Sequence, residues 1–275
     1  MRRLLYFTGA VGLLGLFGLG LFGLGLAAAQ WRWGPWTATW QALSSTSERV
    51  LVLDTRGRIL RQVRAYRVSQ PRLVELGGAS GPELLVTTYS GAGVCCRTVF
   101  TFERGSGGPV NTLTLDIGSQ AAPDVQRVSG PSASNPSAPD LVGRSDVLAG
   151  HPFAAGAAAG VNFVLALNGS HYRDVTWEAP GPARALSETY RARYLQAKPG
   201  STAARAALQG FVANMIAWTR EPEALAWVRA HAAPRDSVWM QSLWKATRAR
   251  VDGFSCRFDV TQSRDLNGPA NDCPN

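Results

Sequence analysis

The chain has 275 residues, 45% of them hydrophobic and nine of them Trp, which is enough apolar mass for one large domain or two small ones. Its net charge of +9 is almost wholly arginine, because Lys198 and Lys245 are the only lysines among 28 basic residues. The arginines are scattered with no run of five, which argues against the clustered basic face that nucleic-acid binding needs, so no nucleic-acid partner is expected.

Arg2 and Arg3 precede an unbroken apolar run from Leu4 to Ala29. Positive charge followed by such a run is the pattern of a secretion signal, and Ala27-Ala28-Ala29 before Gln30 fits a small-residue cleavage site. The run also has the roughly 20 residues needed to cross a bilayer, with glycines at 9, 12, 15 and 18 on one helix face. Trp31, Trp33, Trp36 and Trp40 follow directly, where an interfacial aromatic belt would sit. Residues 1–29 are therefore expected as a signal peptide or a single signal anchor, with contact to membrane only through Leu4 to Ala29 if they stay uncut. Either outcome places the remainder outside the cytoplasm, in the periplasm, secreted or tethered.

Residues 30–47, Ser/Thr-rich at their end, are expected as a linker, and 48–178 as a β-rich domain. Val50 to Asp54 and the run from Ile59 flank Gly57 as a hairpin would, and Arg72 to Leu76 is a further short strand. Glu83 to Tyr89 is the central strand, followed by Arg97 to Phe102 and Val110 to Ile117, both alternating apolar with polar. Pro139-Asp140-Leu141-Val142 echoes Pro82-Glu83-Leu84-Leu85 at an offset of 57. Val161 to Leu167 then turns at Asn168-Gly169, a strong hairpin signal.

The stretch from Pro82 through Tyr89-Ser90-Gly91 to Cys95-Cys96 resembles a segment of exported bacterial proteins with degenerate FG-GAP or VCBS-type β repeats, in which it commonly ends Ser-Gly-Gly-Ala-His-Cys-Cys. The resemblance implies a propeller-like or sandwich-like β domain. Val94 stands where that family has histidine, and the loops before Pro82 and Pro139 carry no carboxylate, so neither calcium nor zinc is expected and no cofactor is assigned. Tyr89, Ser90, Gly91, Gly93 and Arg97 form a possible binding loop.

From Pro182 the period changes to that of helices. Leu186, Tyr190 and Tyr194 share a face; Ser201 can cap a second helix, Pro222 opens a third, and Asp236 can cap a fourth that Gly253 stops. Residues 182–253 are thus a helical region and 254–275 a tail ordered by cysteine. The fold class is α+β: an incomplete antiparallel β domain followed by a small α-helical region.

Cys95, Cys96, Cys256 and Cys273 make an even count, which in an exported chain favours disulfides. Three arrangements are open: a vicinal or otherwise structural Cys95–Cys96 pair, bridges from that pair to Cys256 and Cys273, or functional thiols. Proximity in sequence favours Cys256 with Cys273. His151, His171 and His231 are the only histidines; His171 could share a strand edge with Asp174, but no Gly-x-Ser-x-Gly supplies a nucleophile. Glu103, Asp116, Asp124 and Asp140 could include a catalytic pair, with nothing in their spacing to select one. The composition points to a non-catalytic envelope protein, a binding or structural module for an unknown ligand or envelope partner. The alternative is an extracytoplasmic hydrolase with a site between the β loops and the helical region.

Overall fold

The computed structural model describes residues 28–78, 80–91, 96–128, 138–154, 157–169 and 171–256. Among these are thirteen strands in three antiparallel, unclosed sheets, followed by four helices. The first sheet is a meander of β1 (Ala28–Trp33), β2 (Trp36–Ser44), β3 (Ser47–Leu53) and β4 (Ile59–Ala65). The second runs β5 (Arg67–Val68), β7 (Glu83–Tyr89), β8 (Arg97–Gly105) and β9 (Gly108–Gly118), with β6 (Arg72–Val74) also paired to β7. The third is β10 (Asp124–Gln126), β11 (Asp140–Ser145), β12 (Val161–Asn168) and β13 (His171–Asp174). Then come α1 (Gly181–Gln196), α2 (Thr202–Ala217), α3 (Glu221–His231) and α4 (Pro234–Cys256). The expected α+β class is what the chain adopts.

The sheets stack because successive side chains of a strand leave opposite faces. Leu84 and Val86 of β7 point into a core shared with Trp33, Ala38, Val50 and Val52 of the first sheet. Leu85, from the other face, joins Val99, Leu113, Leu115 and Ile117 against Leu141, Phe163, Leu165 and Tyr172 of the third sheet. Buried on both sides from Glu83 to Thr88, β7 carries an apolar run, Leu84-Leu85-Val86, in place of apolar–polar alternation. The helices form their own core around Leu208, Phe211, Val212, Met240 and Trp244, and Val161 and Ala159 carry that core into the third sheet.

Residues 30–47 are not a linker. They are the β1–β2 hairpin and the turn into β3, because their tryptophans have a core to enter. Trp33 is fully buried and donates its indole N–H to the Pro82 carbonyl at 2.6 Å; Trp40 donates to the Val68 carbonyl at 2.9 Å. These rings bind the first sheet to the second. The β region therefore begins at Ala28 rather than at residue 48.

The echo of 82–85 in 139–142 has a structural counterpart. Glu83 and Asp140 each open a strand, are each buried, and each turn a carboxylate back onto preceding backbone. Glu83 accepts from Leu76 N and Gly78 N, and Asp140 from Val128 N. One acid at each strand start thus holds backbone that precedes it, Leu76 and Gly78 for β7 and Val128 for β11.

Two helix details differ from expectation. Ser201 does cap α2, accepting from Ala204 N at 3.1 Å. Asp236 lies inside the first turn of α4, and its carboxylate is spent across the bundle on Gly200 N, Arg205 Nε and Tyr194 Oη. Gly253 does not stop α4, which continues to Cys256 because Phe254 packs on Phe163 of the third sheet. Cys96 is a disulfide cysteine, whereas the side chains of Cys95, Cys256 and Cys273 lie outside the described residues, with Gly93, Val94, most of the apolar N-terminal run and the tail from 257.

Candidate binding groove

The outer face of the third sheet carries a groove of about 670 Å³ roofed by α1, within the range of small-molecule sites. Register dictates its floor. Asp124 pairs with Val142, Val142 with Val164, and Arg144 with Asn162. Paired residues and residues two apart share a face, so Asp124, Val142, Arg144 and Asn162 all look out of the sheet together. On α1 the helical period brings Pro182, Ala185, Leu186 and Thr189 to one side, facing them. Gln120, in the connection from β9 to β10, closes one end.

Arg144 is the charged centre of the floor. Its stem crosses Gly160 so closely that a Cβ there would stand 2.2 Å from Arg144 Cδ, so any side chain at 160 would displace the arginine. Arg144 Nε donates to Asn162 Oδ1 at 3.3 Å. Asn162 is itself fixed: its Nδ2 donates to the Pro182 carbonyl at 2.7 Å and its backbone N–H to Asn214 Oδ1 at 3.0 Å. Fully buried Asn214 also donates to the carbonyls of Gly160 and Gly210, and Gly160 N donates to Tyr190 Oη. The strand start that positions Arg144 is thereby nailed to α1 and α2. Arg144 lines the groove, and among the described residues it forms no ion pair and no hydrogen bond from its two terminal nitrogens. The first turn of α1 has no acidic residue and no side-chain cap, so its positive end adds to the arginine's field.

Of the residues expected to form a binding loop, Gly93 lies outside the described residues and Arg97 supports this groove from behind. Arg97 pairs with Tyr89 across β7 and β8, lies over the Tyr89 ring at 5.7 Å, and donates from Nη1 to the carbonyls of Ser119 and Gln120 at 2.6 and 2.9 Å. Gln120 and Ser119 are further held by Asp146. Gly91 takes φ +84° with the Tyr66 ring where a Cβ would be, and Ser90 N donates to the Cys96 carbonyl. Arg97 is therefore committed to the backbone that carries Gln120.

Of the four acids expected to include a pair, Asp124 lines the groove, Asp116 is exposed on β9 and accepts from Gly118 N, and Glu103 and Asp140 fall elsewhere. Glu103 meets Glu83 inside the interface of the second and third sheets: a Cβ on Gly78 would stand 2.3 Å from Glu83 Oε1 and 2.9 Å from Glu103 Oε1. Burial pushes both carboxyls above the ordinary range, and for Glu103 the neighbouring Glu83 charge adds to it. Tyr172, nearly inaccessible, is also pushed up by burial, with both glutamates contributing. Burial likewise raises Asp140. Glu83, Glu103, Tyr172 and Asp140 do not line the groove. His171 and Asp174 do not meet; three residues apart on β13, they leave opposite faces. Asp174 instead accepts from Thr176 N and Ser255 Oγ. His151 gives its carbonyl to Gln209, and His231 stacks on Trp227.

Arg144, Asn162 and the α1 face escaped the reading of the sequence. The available signal was a polar residue at an expected inward strand position, in Asp140-Leu-Val-Gly-Arg-Ser and again in Val161-Asn-Phe. Among the described residues no group of three or more His, Cys, Asp or Glu could hold a metal ion, and no helix is long and apolar enough to cross a membrane. No family model, curated protein or solved structure matches the chain.

Proposed function

We propose that this protein is a non-catalytic binding module of the cell envelope, and that its ligand is a small molecule whose anionic group sits on Arg144. The observation that carries this is an arginine prepositioned by Asn162 and Gly160, lining an open groove and forming no ion pair with the groove's one acid, Asp124. Holding a guanidinium in one geometry while leaving its terminal nitrogens unpaired suits recognition of a carboxylate, which it can meet in two parallel hydrogen bonds. The groove's lining holds one carboxylate, Asp124, and no histidine, cysteine or serine. Hydrolysis by paired carboxylates or by an activated nucleophile would need more than that. The resemblance to exported β-repeat proteins and the charged, apolar N-terminus support the envelope location.

Two measurements test the reading. In a thermal-shift series at matched ionic strength, small monocarboxylates raise the melting temperature of the wild type more than chloride does. Arg144→Gln abolishes that gain without lowering the ligand-free midpoint. Stabilisation follows mass action, about 2.7 kcal/mol at a hundredfold excess over Kd. Equal shifts in wild type and variant contradict the assignment. For location, a reporter enzyme that works only outside the cytoplasm, fused after Asn275, becomes active; a stable but silent fusion contradicts it.

A further inference from the structure

The groove holds a second charge. Asp124 lies on the same face as Arg144, across from Val142, which is two residues before Arg144 on β11. Diagonal neighbours of this kind stand about 7–8 Å apart, close enough for long side chains to meet. Yet among the described residues Asp124 makes neither an ion pair nor a side-chain hydrogen bond, and Arg144 Nε is turned to Asn162. Two opposite charges thus flank one space without closing on each other. Around them lie the neutral polar side chains of Gln126 and Thr189, and an apolar side formed by Val142, Pro182 and Leu186.

We propose that the groove takes a zwitterion, an aliphatic α-amino acid or the same group at the end of a longer molecule, with its carboxylate on Arg144 and its ammonium on Asp124. This rests on the reading of the groove as a ligand site. An α-amino acid carries both charges on one carbon, so it bridges a gap that neither charge alone fills. Its aliphatic chain then lies along Val142 and Leu186. A lone carboxylate leaves Asp124 unpaired and adds a like charge beside it, and a lone amine does the same to Arg144. A ligand that forgoes either charge-assisted hydrogen bond is expected to bind about tenfold more weakly or worse.

The test is isothermal titration of the full-length protein with three probes of one carbon skeleton: L-leucine, 4-methylpentanoate, which lacks the ammonium, and 3-methylbutylamine, which lacks the carboxylate. Leucine is expected to bind at least about tenfold tighter than either analogue. Asp124 is exposed, so Asp124→Asn keeps the fold, which the melting temperature checks. In that variant leucine falls to the affinity of 4-methylpentanoate. If 4-methylpentanoate binds wild type as tightly as leucine, or if Asp124→Asn leaves leucine unchanged, the zwitterion assignment is overturned while the groove stands as an anion site. If none of the three probes binds, the assignment falls together with the reading it rests on.

Discussion

Glu83 and Glu103 show how little a residue's type says about its worth. Glu83 is fully buried and satisfies two backbone donors, Leu76 N and Gly78 N, at 2.8 and 2.7 Å. Its replacement by Gln loses a charged acceptor for both and is expected to cost about 1.5–3 kcal/mol. Glu103 has a buried Oε1 with no hydrogen-bond partner and faces Glu83 across Gly78. Glu103→Gln removes a like charge and offers an amide donor, so it is expected to be neutral or to stabilise by about 0.5–1.5 kcal/mol at neutral pH. The pH dependence separates the two effects. With its carboxyl raised above the ordinary 4.5, folded Glu103 holds a proton that the unfolded chain has released. Native protein then binds more protons across that window, and stability falls as pH climbs through it. Urea midpoints between about pH 4 and pH 8 should show a smaller fall for Glu103→Gln than for wild type; an identical fall contradicts this account. Glu48 titrates the other way. Burial pushes it up, but the Val68 N–H and the Arg67 guanidinium outweigh that and hold it low. Its contribution is present above the ordinary value and is lost on acidification.

Single elements owe their place to a few anchors, and those anchors decide how they can be tested. If β1 and β2 were a linker, Trp33→Ala would be silent. As a fully buried ring bonded to Pro82 it is expected to cost about 3–5 kcal/mol, read as a fall in melting temperature. Asp236 joins α1, α2 and the turn between them to α4, with its carboxylate inaccessible and a salt bridge to Arg205. Asp236→Ala strands those donors and is expected to cost about 3–5 kcal/mol, with helix loss by circular dichroism at a lower temperature. Disulfide pairing is settled by non-reducing peptide mapping. The expected fragment joins Cys256 to Cys273, and any fragment joining either to the Cys95–Cys96 peptide contradicts that pairing.

These elements also mark what the sequence could disclose. Strands β7 and β12, the Asn168-Gly169 turn and the Ser201 cap were legible because each is encoded locally, by period or by turn chemistry. The β1–β2 hairpin was not, since its tryptophans follow an apolar run and only a partner sheet reveals them as core. Asp236 looked like a cap because a cap is the nearest use of an aspartate at a helix start; its partners are 31 to 42 residues away. Arg144 was invisible for the same reason. Its meaning depends on pairing with Asn162, on the absent side chain of Gly160, and on a helix that begins more than thirty residues later.

At the scale of the whole molecule, three stacked sheets hand a face to the helices, and the groove arises where α1 crosses the last of them. Arg97 at the start of β8 fixes Gln120 from behind, so the second sheet sets the end wall of a groove built on the third. Arg97→Ala should therefore weaken binding several-fold without removing it, whereas Arg144→Gln should abolish it. The most direct test is chemical-shift mapping on isotope-labelled protein saturated with a small carboxylate. The largest changes are expected on Arg144 Nε–H, the Asn162 side-chain amide and the backbone of residues 181–189. Changes centred on residues 89–97 or around Glu83 and Tyr172, with Arg144 unmoved, would contradict it.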